Sequence, residues 1–93
     1  MFKTNEYFDG KVKSIAFKGQ SKSATVGVMA AGEYVFNTAE KEKMTVITGE
    51  LKITFSGNSE VQAFTAGQSF DVPAESSFKV AVPEDCAYLC EYG

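Results

Sequence analysis

The residues best placed for chemistry lie between Gly32 and Gly49, in GEYVFNTAEKEKMTVITG. Glu40 and Glu42 alternate there with Lys41 and Lys43 in a polar stretch running from Asn37 to Lys43. Aromatic and β-branched residues precede it (Glu33-Tyr34-Val35-Phe36) and follow it (Met44-Thr45-Val46-Ile47-Thr48), so each flank reads as a strand. A strand, an acidic bend and a second strand place both carboxylates on a rim, and any chemistry is expected at that rim. The chain has no His, no Arg and no Trp. It therefore lacks an imidazole base, an imidazole metal ligand and a bidentate guanidinium clamp. Any anion must be held by lysines, hydroxyls and backbone N–H groups.

The rest of the chain must supply the frame for that rim. Leu51, Ile53 and Phe55 alternate with Lys52 and Thr54 beyond Gly49. Further strands are expected over Lys11–Phe17, Ser23–Ala30, Val61–Phe64, Ser69–Val72, Phe78–Val82 and Cys86–Tyr92. Gly27, inside the second of these, signals a bulge or a close backbone approach. Asn5 to Gly10 reads as a short lead-in ending in a turn, with Tyr7 and Phe8 capping the core or a partner subunit. Pro73 ends its strand because proline cannot donate to a ladder. About nine short strands with regular turn signals and no helical period indicate an all-β sandwich or barrel.

With 93 residues, 44% apolar, the chain is expected to form one domain over 1–93, and so short a chain gains from oligomerisation. No apolar run reaches membrane-spanning length and the N-terminus has no apolar h-region, so the expected location is the cytoplasm. A net charge of −3, twelve acids against nine lysines, gives no general pull toward nucleic acid or anionic membrane. Cys86 and Cys90, four apart on one strand, would have Cα atoms about 13 Å apart, too far for a disulfide. They read as small buried side chains.

Two spacings go further. Gly32 leads through Phe36-x-Thr38 to Glu42 and then Gly49, and Gly67 is followed after five residues by Pro73 and then Phe78. These resemble the paired motifs of cupins, small jelly-roll barrels, in which the first motif carries two His and a Glu and the second a third His. Phe36, Thr38 and Phe78 stand at or beside the histidine places, so the resemblance implies a cupin scaffold without the usual metal site. Whole segments (NEYF, GKVKSI, TVGVM, GEY-x-F-x-TAE, MTV, AG-x-x-F-x-VP and YLC) resemble the small single-domain pyrimidine/purine nucleoside phosphorylases from Asn5 to Cys90. The resemblance implies a homodimeric, metal-independent enzyme without a cofactor. It would cleave purine and pyrimidine ribonucleosides with inorganic phosphate to free base and ribose 1-phosphate.

That chemistry rests on positioning and electrostatics and needs neither metal nor covalent nucleophile. Glu40 and Glu42 are the candidates for gripping ribose hydroxyls, Thr38 and Thr45 for sugar or phosphate, and Lys13 and Lys43, with Ser14 assisting, for phosphate. Lys18 and Lys22 fall in a loose loop. Tyr34, Phe36 and Phe78 form a candidate aromatic wall that would stack any base. Each has a plainer alternative: a solvated acidic bend, strand-forming threonines, edge lysines, a barrel core. A non-enzymatic cupin that binds a sugar or nucleotide shares all of these residues and differs only in turnover.

Overall fold

Ten strands cover most of the chain, and alternating burial, with side chains pointing in at every second residue, is clearest in those at Val12–Lys18, Ser23–Met29, Ser69–Val72 and Ser77–Val82. The ten are β1 (Lys3–Tyr7), β2 (Val12–Lys18), β3 (Ser23–Met29), β4 (Gly32–Asn37), β5 (Glu42–Thr48), β6 (Glu50–Phe55), β7 (Gln62–Thr65), β8 (Ser69–Val72), β9 (Ser77–Val82) and β10 (Cys86–Tyr92). The structure is a computed structural model and describes residues 1–93. Six strands form one antiparallel sheet in the order β1-β2-β3-β10-β5-β8, and four form the other, β4-β9-β6-β7. From β3 onward every connection except β6–β7 crosses between the sheets. The all-β expectation holds, and the two sheets close over a core of 15 buried residues that includes Leu51, Ile53, Val72 and Val80.

Two elements differ from the sequence reading, and both matter for the site. The lead-in is a strand: Lys3 to Tyr7 pair residue by residue with Ala16 to Val12. KTNEY has too little apolar character to announce itself, and it is the free edge of β2 that makes it a strand. β5 starts at Glu42 rather than Met44, because Glu42 and Lys43 pair with β10 on one side and β8 on the other. Glu42 therefore belongs to a central strand and points inward, while Glu40 stays on the exposed bend.

Gly27 is the close approach expected of it. A Cβ there would lie 2.7 Å from the Lys13 carbonyl oxygen and 2.7 Å from the Tyr88 hydroxyl. Only a bare backbone lets the Tyr88 ring lie across β3. Gly49, at φ 98°, turns β5 directly into β6 against Cys86. Phe8 closes one end of the core, its ring 4.9 Å from Tyr34 and 5.5 Å from Phe36. Cys86 and Cys90 are free, buried thiols on the inner face of β10.

Candidate active site

Between the two sheets lies a cavity of about 140 Å³. Its polar wall comes from the larger sheet. Tyr88, Cys90 and Tyr92 project inward from β10, Glu42 from the neighbouring β5 and Ser14 from β2. The facing wall comes from the smaller sheet, where Phe36 of β4 and Phe78 of β9 are direct cross-strand partners with stacked rings 5.6 Å apart. Tyr7 of β1 also lines the cavity.

The polar wall is held by its own hydrogen bonds. The Cys90 thiol donates to Glu42 Oε1 at 3.4 Å. The Tyr92 hydroxyl pairs with Thr25 Oγ1 at 3.2 Å. No buried side-chain nitrogen or oxygen lacks a partner, as a low-dielectric interior demands. Burial raises the Glu42 pKa; the Cys90 thiol partly offsets this and the nearby Glu40 charge adds to it. Burial also pushes Tyr88 up to about 12 and Cys90 up to about 12, with the Glu42 charge adding to both. Tyr92 moves in the same direction, mainly through burial. At neutral pH these three therefore stay protonated, as hydrogen-bond donors around one carboxyl group. A thiol held protonated is a poor nucleophile, so the wall is built to grip polar groups rather than to attack.

Of the residues singled out from the sequence, the cavity brings together Glu42, Phe36, Phe78 and Ser14. Tyr34 is buried beside Phe36, but its hydroxyl donates to the Ala30 carbonyl at 2.6 Å and it does not line the cavity. Thr38 sits in a loop where its hydroxyl donates to the Pro73 carbonyl at 2.7 Å and accepts the Ser76 N–H at 2.9 Å. Thr45 and Lys43 alternate with the inward residues of β5 and face outward, Thr45 pairing with Ser69 Oγ at 2.8 Å. Lys13 faces outward from β2, 3.8 Å from Glu6 Oε1. Glu40 is exposed.

Tyr88, Cys90, Tyr92 and Tyr7 also line the cavity, although the sequence does not single them out as site residues. A signal was present in CAYLCEY, whose alternation puts Tyr88, Cys90 and Tyr92 on one face of a strand. Nothing in the residues alone said that this face would meet Glu42.

The positions that resemble cupin metal ligands do converge, since Phe36, Phe78 and Glu42 all line the cavity. They do not fit a metal. Two are hydrocarbon rings, the Thr38 hydroxyl is occupied elsewhere, and no group of three or more His, Cys, Asp or Glu side chains converges anywhere. No helix is long and apolar enough to cross a membrane.

Comparison with known proteins agrees with this architecture. An RmlC-like cupin from Shewanella frigidimarina superposes with a TM-score of 0.76 at 21% identity, covering 98% of this chain and 82% of that one, which establishes the cupin fold. A crystal structure of a protein of unknown function from Vibrio parahaemolyticus superposes with a TM-score of 0.96 at 43% identity, covering 100% of this chain and 99% of that one. A pyrimidine/purine nucleoside phosphorylase from Pseudomonas entomophila is 58% identical over 92 residues, 99% of this chain and 98% of its own length. The family model described as pyrimidine/purine nucleoside phosphorylase matches residues 2–92, so the carboxylate-and-aromatic cavity belongs to a chain of the pyrimidine/purine nucleoside phosphorylase family.

Proposed function

We propose that this chain catalyses phosphorolysis of purine and pyrimidine ribonucleosides, with the sugar held at Glu42. The observation that carries this reading is the pairing of one inward carboxyl with the Phe36–Phe78 stack across a single cavity. A carboxylate accepts from two neighbouring hydroxyls, as a ribose 2′,3′-diol offers, and aromatic faces tolerate any base. The protonated Tyr88 and Tyr92 supply donors to the remaining oxygens of the sugar, while the Cys90 thiol holds Glu42. At about 140 Å³ the cavity is smaller than the roughly 300–1,000 Å³ of sites that enclose a whole drug-sized ligand. It takes one ring of a nucleoside, and the other extends toward solvent.

In the reaction a phosphate oxygen forms a bond to C1′ as the C1′–N bond breaks. The bonding pair leaves with the base, and the proton given up by monohydrogen phosphate ends on the base nitrogen. Charge develops on the ribosyl ring between a carboxylate and a phosphate dianion, which stabilise it electrostatically. No step requires a metal, a cofactor or a covalent enzyme intermediate.

We further propose that the active species is a homodimer. The outer face of the larger sheet exposes Ile15, Phe17, Val26, Val28 and Ile47. Ile15, Val26 and Leu89 lie in one cross-strand row, which makes the patch continuous. Apolar patches of this kind mark association surfaces.

The test is direct. Purified protein is incubated with uridine, inosine or adenosine, with and without phosphate, and free base and ribose 1-phosphate are followed by chromatography. Base released only with phosphate is the expected result. Release without phosphate would make the protein a hydrolase, and no release from any nucleoside would leave a ligand-binding cupin.

A further inference from the structure

Charge on this molecule is unevenly placed. A second, open groove of about 620 Å³ lies at the hairpin joining β2 to β3, lined by Lys3, Lys18 and Lys22. Not one of the chain's twelve acids lines it, although the net charge is −3. The single salt bridge of the molecule joins Lys13 to Glu6, so these three ammonium groups have no carboxylate partner. The Gly19 N–H closes the hairpin on the Lys22 carbonyl at 2.9 Å, while the N–H groups of Gln20, Ser21 and Lys22 bond to nothing within the chain. Unpaired ammonium groups beside free amides are what a phosphate needs where no arginine exists.

This groove adjoins the cavity and shares Tyr92 with it. Lys3 stands in a cross-strand row with Ala16, Thr25 and Cys90, and Lys18 pairs with Ser23, on the same inner face as Tyr92 and its partner Glu42. Strands lie about 4.8 Å apart, which puts the backbone of β2 about 10 Å from β10 and about 15 Å from β5. Extended side chains from both ends close most of that span. An anion held by Lys18 and a sugar held by Glu42 would thus meet beside Tyr92.

We infer that the Lys3–Lys18–Lys22 groove is the binding site for inorganic phosphate, and that Tyr92, tied to Thr25, is the wall across which it meets the sugar. The assignment rests on the phosphorolysis reading for its role, but not for its existence. It also departs from Lys13 and Lys43, which face away from the cavity on the opposite side of the same sheet.

Amide chemical shifts of the ¹⁵N-labelled protein, titrated with sodium phosphate against sodium chloride at matched ionic strength, test the site without any nucleoside. Saturable shifts confined to Lys3, residues 18–23, Thr25 and Tyr92 are expected. Shifts centred on Lys13 or Lys43, or none that saturate, would overturn the assignment. A parallel titration with uridine 5′-monophosphate separates free phosphate from a nucleotide's phosphoryl group. Saturation by the nucleotide alone would also overturn it.

The Lys18→Ala/Lys22→Ala double variant then tests the role. Its phosphate KM should rise about tenfold or more, the loss expected of charge-assisted contacts, with the nucleoside KM and melting temperature unchanged. A phosphate KM that does not move would sink the role. If no nucleoside is cleaved but the shifts map to the groove, the phosphorolysis reading fails and the anion site stands.

Discussion

The Cys90 thiol on β10 donates a hydrogen bond to Glu42 Oε1 on the adjacent β5 at 3.4 Å. These residues are 48 positions apart in the chain and are brought together by the register that pairs Tyr92 with Glu42 and Cys90 with Met44. The contact separates the two carboxylates of the acidic stretch. Glu42 becomes a cavity group, while Glu40 acts on it only through its charge.

Glu42→Gln and Glu40→Gln should therefore behave differently. Loss of the Glu42 charge should lower kcat/KM for nucleosides by about ten- to a hundredfold, the worth of hydrogen bonds to a charged group. Glu40→Gln should stay within about twofold, since exposed charges contribute little. Steady-state kinetics on both variants decide the matter, and equal effects would place the sugar elsewhere.

Burial also gives Glu42 a pH signature. Its pKa in the folded chain lies above the ordinary value of 4.5, so the folded state binds the proton more tightly than the unfolded one. The stability this provides is complete below about 4.5 and is lost as pH rises through the folded-state value. The neighbours of the carboxyl are Cys90, Tyr88 and Tyr92, which stay protonated in that window, and Glu40. Melting temperatures of Glu42→Gln minus wild type should rise across this window and then level off. A difference flat with pH would show that the carboxyl is not perturbed.

Thr38 is tied to the β8–β9 loop by both its backbone and its side chain. Its N–H donates to the Ser76 carbonyl at 2.8 Å, and its hydroxyl joins the Pro73 carbonyl and the Ser76 N–H. Thr38→Ala removes both of the bonds made by the hydroxyl, to the exposed Pro73 and the half-buried Ser76, and at about 0.5–1.5 kcal/mol each should cost about 1–3 kcal/mol. Calorimetry should show this as a lower melting temperature, with kcat/KM at a permissive temperature close to wild type. A stable variant with impaired kinetics would instead put Thr38 on the substrate.

Gly27→Ala should be destabilising through overpacking, because the new methyl would sit 2.7 Å from both a backbone oxygen and the Tyr88 ring. Such insertions cost about 1–3 kcal/mol. The ring lines the cavity and is pushed toward it, so the nucleoside KM should rise together with the loss of stability. A variant as stable as wild type would mean that Tyr88 has another place to go.

The homodimer is tested at Val26, which is 37% exposed at the centre of the outer apolar face. Sedimentation velocity should give twice the chain mass for wild type and a shift toward monomer for Val26→Lys. A wild type that sediments as a monomer would remove the proposed interface.

The all-β class was legible because apolar alternation and turn residues are local; Gly49 and Pro73 mark strand ends and Gly27 marks a close approach. The lack of His and Arg likewise settled from composition alone which ligands and clamps this chain could not build. The inward turn of Glu42 was not legible. Whether a polar residue at a strand's start lies on a bend or in a ladder depends on the strands beside it, and both neighbours of β5 lie far along the chain. The outward aim of Lys13 and Lys43 follows the same rule, since a period of two fixes alternation but not which face meets the core. The meeting of Tyr88, Cys90 and Tyr92 with Glu42, and of Phe36 with Phe78, is a matter of cross-strand register. Register is set by how the two sheets bury their apolar faces together, so it belongs to the tertiary structure.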